Sequence, residues 1–251
     1  MIYLIALVGS FIAGGINTLA GNGSAITLTI LTELLGLPGN LANGTNRVGI
    51  FTQSVAGSWA FYRGGRLQLQ RSGLIIGLTT IGAIAGIFVA ITVSNEAFLQ
   101  VFRALLVLMF FVILVKPKRW LREDTEAHRL PLWLSIPIFL TLGFYGGFIQ
   151  MGMGVFFLAA MVLVARYNLI DSNAVKVVVV GLYTGVAVAI FAWQGLVEWK
   201  IGGLMAVGQT AGGYLTARFA ATDPRAGKWA YYILVTVVLL AILRMYGLLP
   251  F

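Results

Sequence analysis

Two glycine-centred breaks carry the clearest chemical signal in the chain. Gly21-Asn22-Gly23-Ser24 interrupts one apolar run and Gly152-Met153-Gly154 interrupts another, far along the sequence. Backbone inside a bilayer must satisfy its own hydrogen bonds unless it lines a cavity. A break followed by a new helix exposes unpaired N–H groups at the positive end of that helix, which suits an anion. Asn17, Thr18, Asn22 and Ser24 add neutral donors beside the first break, and Gln150 does so beside the second. Glycines of this kind also serve close helix packing or a kink. Two breaks at equivalent places in two halves of the chain favour a ligand site over packing alone.

A second signal follows each break. Asn43, Asn46, Arg47, Ile50, Gln53, Ser54 and Gly57 recur at the spacing of one helix face, which is therefore polar or small. Asn173, Lys176, Tyr183 and Thr184 repeat that spacing later in the chain. A cation well inside a membrane helix is costly and usually functional. The alternative for Arg47 and Lys176, both a few residues from helix ends, is that they snorkel to the headgroups. The candidate substrate-binding set is accordingly Asn17, Thr18, Gly21, Asn22, Gly23, Ser24, Asn43, Asn46, Arg47 and Gln53 from the first half. From the second half it takes Gln150, Gly152, Met153, Gly154, Asn173 and Lys176.

What is missing narrows the chemistry. The apolar segments hold no cluster of His, Asp and Glu, so a metal site or a two-carboxylate mechanism lacks its ligands. There is no cysteine, the single histidine (His128) sits in a charged stretch, and no phosphate-binding G-x-x-x-x-G-K-[ST] loop occurs. No catalytic set, cofactor or enzyme activity is indicated. Glu33 is the one carboxylate within an apolar stretch, readable as a proton-coupling group or as an interfacial residue at a helix end.

The elements that position these residues are membrane helices. Of 251 residues 59% are hydrophobic and 10% charged, against roughly a quarter charged in soluble domains, so lipid must be the solvent. The net charge of +9 would suggest nucleic acid in a soluble protein; here it follows the positive-inside distribution of loop charge, and no nucleic-acid partner is implied. Apolar runs predict about ten helical segments: 2–20, 24–36, 41–62, 73–93, 97–115, 132–150, 154–166, 172–193, 201–220 and 228–247. The segments 24–36 and 154–166 are too short to span comfortably.

The chain also repeats. Gly14-Gly15 is matched to Gly146-Gly147, and Gly21-x-Gly23 to Gly152-x-Gly154. Farther on, a constant offset of 130 pairs Asn43 with Asn173, Asn46 with Lys176, Phe61 with Phe191, Thr80 with Thr210 and Gly82 with Gly212. The domains expected are a first membrane repeat over 1–115, a cytoplasmic loop over 116–131 and a second membrane repeat over 132–251. Five segments per half is an odd number, so the halves enter the membrane from opposite sides, as inverted repeats with broken helices. Loop charge agrees: basic residues cluster at 63–72, 116–131 and 221–228, which a five-plus-five topology puts on the cytoplasmic face.

The stretch from Gly9 to Gly23, with Gly14-Gly15-Ile16-Asn17-Thr18 at its centre, resembles the first-half signature of the TauE/SafE family, as does Ala42-Asn43-Gly44-Thr45-Asn46-Arg47. Gly143-Phe144-Tyr145-Gly146-Gly147-Phe148 through Gly154 is similar to its second-half signature. The resemblance covers essentially the whole chain. It implies a secondary transporter in the bacterial cytoplasmic membrane that exports a small anion such as sulfite, sulfoacetate or a related organosulfonate. It also implies that the glycine breaks and the Asn43–Arg47 and Asn173–Lys176 stretches surround the substrate path. The expected partners are a small anionic substrate, membrane lipid and a coupling ion, proton or sodium, with an oligomer allowed. The competing class is a non-transporting membrane scaffold or partner subunit.

Overall fold

The computed structural model describes residues 2–67, 69–90, 117–122, 130–148, 150 and 152–245, with Phe111 and Leu114. All regular structure among them is helical, as expected of an all-α polytopic membrane protein. The first half contributes α1 (Ile2–Ala20), α2 (Ser24–Thr29), α3 (Gly39–Arg63) and α4 (Leu69–Ala90). A short α5 (Pro117–Trp120) precedes α6 (Leu132–Phe148), α7 (Met153–Ala159), α8 (Leu169–Trp193), α9 (Trp199–Thr222) and α10 (Ala226–Met245). The expected segment at 97–115 lies almost wholly outside the described residues. Within the charged stretch expected as a loop, α5 is a helical turn that buries Trp120 completely beneath α10, against Tyr231. Three helices among the described residues (Ile2–Ala20, Ser72–Val89 and Leu169–Trp193) are long and apolar enough on their own to cross a membrane. The helices α3 and α9, at 25 and 24 residues, are as long but more polar.

Both short segments carry an irregularity that the sequence does not announce. The helix α2 runs into a π-helical turn at Ile30–Leu34, and α7 into another at Ala160–Val164. π-Helical turns are rare and gather at functional sites. With its π turn each segment is roughly 16 Å long, about half of a ~30 Å hydrocarbon core.

Local geometry tightens the internal repeat and corrects part of it. The two π turns, the ends of α3 and α8, and the left-handed residues Gly65 and Gly195 all correspond at the expected offset of 130. Ahead of the π turns the offset is 129. Gly23 and Gly152 are the residues that precede α2 and α7, and Gly21 (φ 75°) corresponds to Gln150 (φ 62°). In the same register Gly14 rests on Gln209 as Gly143 rests on Thr79. The matches of Gly14-Gly15 to Gly146-Gly147 and of Gly21 to Gly152 are therefore displaced by two or three residues. Glycines recur every three or four residues along a helix packing face, so neighbouring registers look alike.

Helix directions follow from which glycines touch which backbone. Along α1 and α9 the contacts climb together: Gly208 meets Leu7, and Gly212 meets Phe11. The helices α4 and α6 do the same, Gly82 against Leu140 and Gly86 against Phe144. The pair α3 and α9 is also parallel, Gly202 beside Thr45 and Gly213 beside Gln53. The corresponding helices α3 and α8 instead run antiparallel, since Gly57 lies by Val177, Gly181 by Ser54 and Gly185 by Phe51. Corresponding elements pointing in opposite directions is what an inverted repeat requires.

The described parts of the three basic connections come together at one face. Arg66 Nε donates to Ala221 O at 3.2 Å and its guanidinium lies 3.8 Å from Asp171, at the start of α8. Arg119 Nε donates to Val162 O at 3.2 Å in the second π turn. At the opposite face Glu198 N donates to Thr45 Oγ1 at 2.9 Å, beside the start of α3.

Candidate functional site

The two breaks meet in the interior of the bundle. Gly21 and Gly154 approach so closely that a Cβ on Gly21 would lie 2.6 Å from Gly154 Cα, and Gly21 also needs a positive φ that an L side chain resists. No other residue type fits there without moving backbone.

Around this crossing three helices converge. Asn17 and Thr18 come from the last turn of α1, Gln53 from the middle of α3 and Lys176 from the second turn of α8. Gln53 ties the first two elements together: its Nε2 donates to Thr18 Oγ1 at 3.2 Å, and its Oε1 accepts from Asn17 Nδ2 at 3.4 Å. Gly213 on α9 leaves the room for Gln53, because a side chain there would run into its Cγ.

Lys176 neither snorkels nor stands free. It is 2% exposed, and its ammonium donates to Asn17 O at 3.0 Å, to Thr18 O at 2.8 Å and to Asn173 Oδ1. An ammonium has three protons, so all its donors are engaged. Asn17 O and Thr18 O belong to the last turn of α1, where carbonyls carry partial negative charge; Asn17 O also accepts from Gly21 N at 3.0 Å. The lysine thus caps the broken end of α1 from the other half of the molecule.

Arg47 is the opposite case. It is fully buried, one turn before Ile50 on α3, with its guanidinium carbon 5.1 Å from the centre of the Phe191 ring. None of its three guanidinium nitrogens has a hydrogen-bond partner among the described residues. Asn46 and Asn22 are also fully buried with both amide atoms unpartnered, and Gln150 has an unpartnered amide nitrogen. Buried polar groups are nearly always hydrogen-bonded, so this concentration of open donors is unusual.

A narrow cavity of about 20 Å³ lies at the crossing, room for about one water. Of the expected site residues, Asn17, Gly21, Ser24, Gln53, Gln150, Gly154 and Lys176 line it. Thr18 sits behind Lys176 and Gln53. Asn22, Gly23, Gly152, Met153, Asn43, Asn46, Arg47 and Asn173 are not in the lining, although all but the half-buried Asn43 are buried. Ser54, Ile50 and Tyr183 line the cavity without having been in the candidate set. Register could have found Tyr183, which corresponds to Gln53 at the offset of 130. Glu33 is exposed and accepts from Thr32 Oγ1 at 3.3 Å, on the surface of the bundle rather than in its interior. No group of three or more potential metal-ligating His, Cys, Asp or Glu side chains occurs among the described residues.

Comparison with known proteins agrees with a multi-pass membrane protein. A probable membrane transporter protein (ORF9) of Sinorhizobium is 28% identical over 216 residues, covering 85% of this chain and 81% of the relative. One from Haemophilus influenzae is 27% identical over 213 residues, 84% of this chain and 82% of its own. The probable membrane transporter protein YdhB of Bacillus subtilis is 20% identical over 229 residues, 90% of each chain. No solved structure matches the chain. The model of the family described as sulfite exporter TauE/SafE matches residues 6–245. With that match over nearly its whole length, the chain belongs to the TauE/SafE family: it is a multi-pass membrane transporter and not an enzyme.

Proposed function

We propose that this transporter exports a small anion of the sulfite or organosulfonate class across the bacterial cytoplasmic membrane, between two inverted repeats (1–115 and 132–251) joined by a cytoplasmic 116–131 loop. One observation carries the reading. The interior holds two buried cations, Arg47 and Lys176, whereas Glu33, Asp171, Glu198 and Asp223, the carboxylates among the described residues, are all at least partly exposed. An uncompensated charge in a low-dielectric interior is strongly destabilising, and a polar residue at that depth marks a substrate path.

The division of labour follows from the hydrogen bonds. Lys176 contributes positive charge beside the cavity, but its protons are already donated. Arg47 has its planar set of donors open, a geometry suited to two oxygens of one oxyanion. Asn22, Asn46 and Gln150 supply further neutral donors nearby in the fold. At about 20 Å³ the cavity admits no sulfonate in this conformation, so loading requires the breaks and α3 to separate.

The test is counterflow in proteoliposomes of the purified chain, with labelled sulfite, thiosulfate, sulfoacetate and taurine offered in turn. Saturable exchange of at least one sulfur oxyanion, weakened in Arg47→Gln, is the expected result. Exchange of none of these anions by folded protein would sink the substrate assignment.

A further inference from the structure

We infer that the Lys176 ammonium acts as a tethered cation in a three-oxygen cradle at the broken end of α1, so that this chain needs no free sodium ion at that position. The inference deepens the transporter reading by assigning its cation requirement.

The cradle is built from two carbonyls of the last helical turn and one side-chain amide oxygen. Asn17 O and Thr18 O belong to the first half of the chain, and Asn173 Oδ1 to the second. Carbonyls at the ends of interrupted helices, joined by a side-chain oxygen, are what coordinates a coupling cation in broken-helix secondary transporters. Here the positive charge arrives on a side chain instead. Lys176 is anchored on α8 three residues beyond Asn173, so the fourth carbon of its stem delivers the nitrogen to the centre of the three oxygens.

The cradle is also preorganised. Gln53 bonds the side chains of both Asn17 and Thr18, and Thr18 Oγ1 donates to Gly14 O at 2.9 Å. Asn173 Nδ2 donates to Leu169 O at 3.1 Å, which turns its Oδ1 towards the ammonium. None of these acceptors is a carboxylate, so the site holds one full positive charge and is matched to a monovalent cation. At the corresponding place in the other half stands Asn46, which is neutral, so the tethered charge is confined to one of the two repeats.

The experiment uses the full chain and reads stability separately from transport. The parent should melt at the same temperature in sodium and in choline chloride, and its anion flux should persist when choline replaces sodium on both sides. Lys176→Ala vacates the cradle and keeps its oxygens. It should melt below the parent and be restored by a few degrees, saturably, by methylammonium or sodium. Lys176→Met, which fills the space without charge, should show no such response. A parent that requires sodium, or a Lys176→Ala protein indifferent to both cations, would overturn the inference. If Lys176→Ala does not accumulate, Lys176→Arg is compared with Lys176→Met, and equal melting temperatures overturn it. Lack of flux in the parent under every condition counts against the substrate assignment only, and the melting data still decide the cradle.

Discussion

At the scale of single residues, the two interior cations divide sharply by what they touch. Lys176 spends three protons on protein oxygens, while Arg47 rests on an aromatic face with its nitrogens unpartnered among the described residues. Removing the arginine charge should therefore affect anion binding most directly. A charge-assisted hydrogen bond is worth about 1.5–3 kcal/mol, so Arg47→Gln should weaken anion binding roughly ten- to a hundredfold, measured by titration of the purified protein. Arg47→Lys keeps charge but not the planar fork, and should fall between the two. Asn22→Ala removes one neutral donor and should cost about tenfold or less in the same titration. An Arg47→Gln protein that binds like the parent would leave Arg47 a structural residue only.

The helices and their breaks show what a sequence can and cannot disclose. Gly21 and Gly36 both have positive φ, at 75° and 68°, but only Gly21 is pressed against another backbone; Gly36 has nothing within 4 Å of its added Cβ. Gly36→Ala should therefore cost only the left-handed backbone penalty of about 1–2 kcal/mol. Gly21→Ala adds a clash with Gly154 and should lower the melting temperature further, to the point of poor accumulation. Equal losses for the two variants would contradict the close crossing of the breaks. The breaks themselves, the long helices and the 130-residue correspondence were legible, because glycine pairs and apolar runs report directly on backbone needs. The π turns were not, since Ile30–Leu34 and Ala160–Val164 read as ordinary apolar helix. Nor was the burial of Trp120, hidden inside a run of charges at 116–129. The fate of the Lys176 protons was also invisible: its partners Asn17 and Thr18 are more than 150 residues away, and two of the three acceptors are main-chain carbonyls that any residue type would offer.

For the whole molecule, the inverted arrangement makes a claim about sides. The connections after α3 and α9 and the residues of α5 share one face, and the basic side chains there predict that it is cytoplasmic. The chain has no cysteine, so introduced ones report without background. Lys118→Cys and Lys228→Cys should resist a membrane-impermeant thiol reagent in intact cells and react after permeabilisation, whereas Lys200→Cys, on the opposite face, should react in both. Labelling of Lys118→Cys or Lys228→Cys from outside would reverse the orientation or break the shared face.

The tightness of the central cavity has an electrical consequence. A space of about 20 Å³ cannot hold a file of waters, so among the described residues the crossing offers no water wire. Each elementary charge moved through the full membrane field is worth about 2.3 kcal/mol per 100 mV. The unloaded transporter should be an insulator: vesicles containing it should hold a potassium diffusion potential as long as protein-free vesicles do.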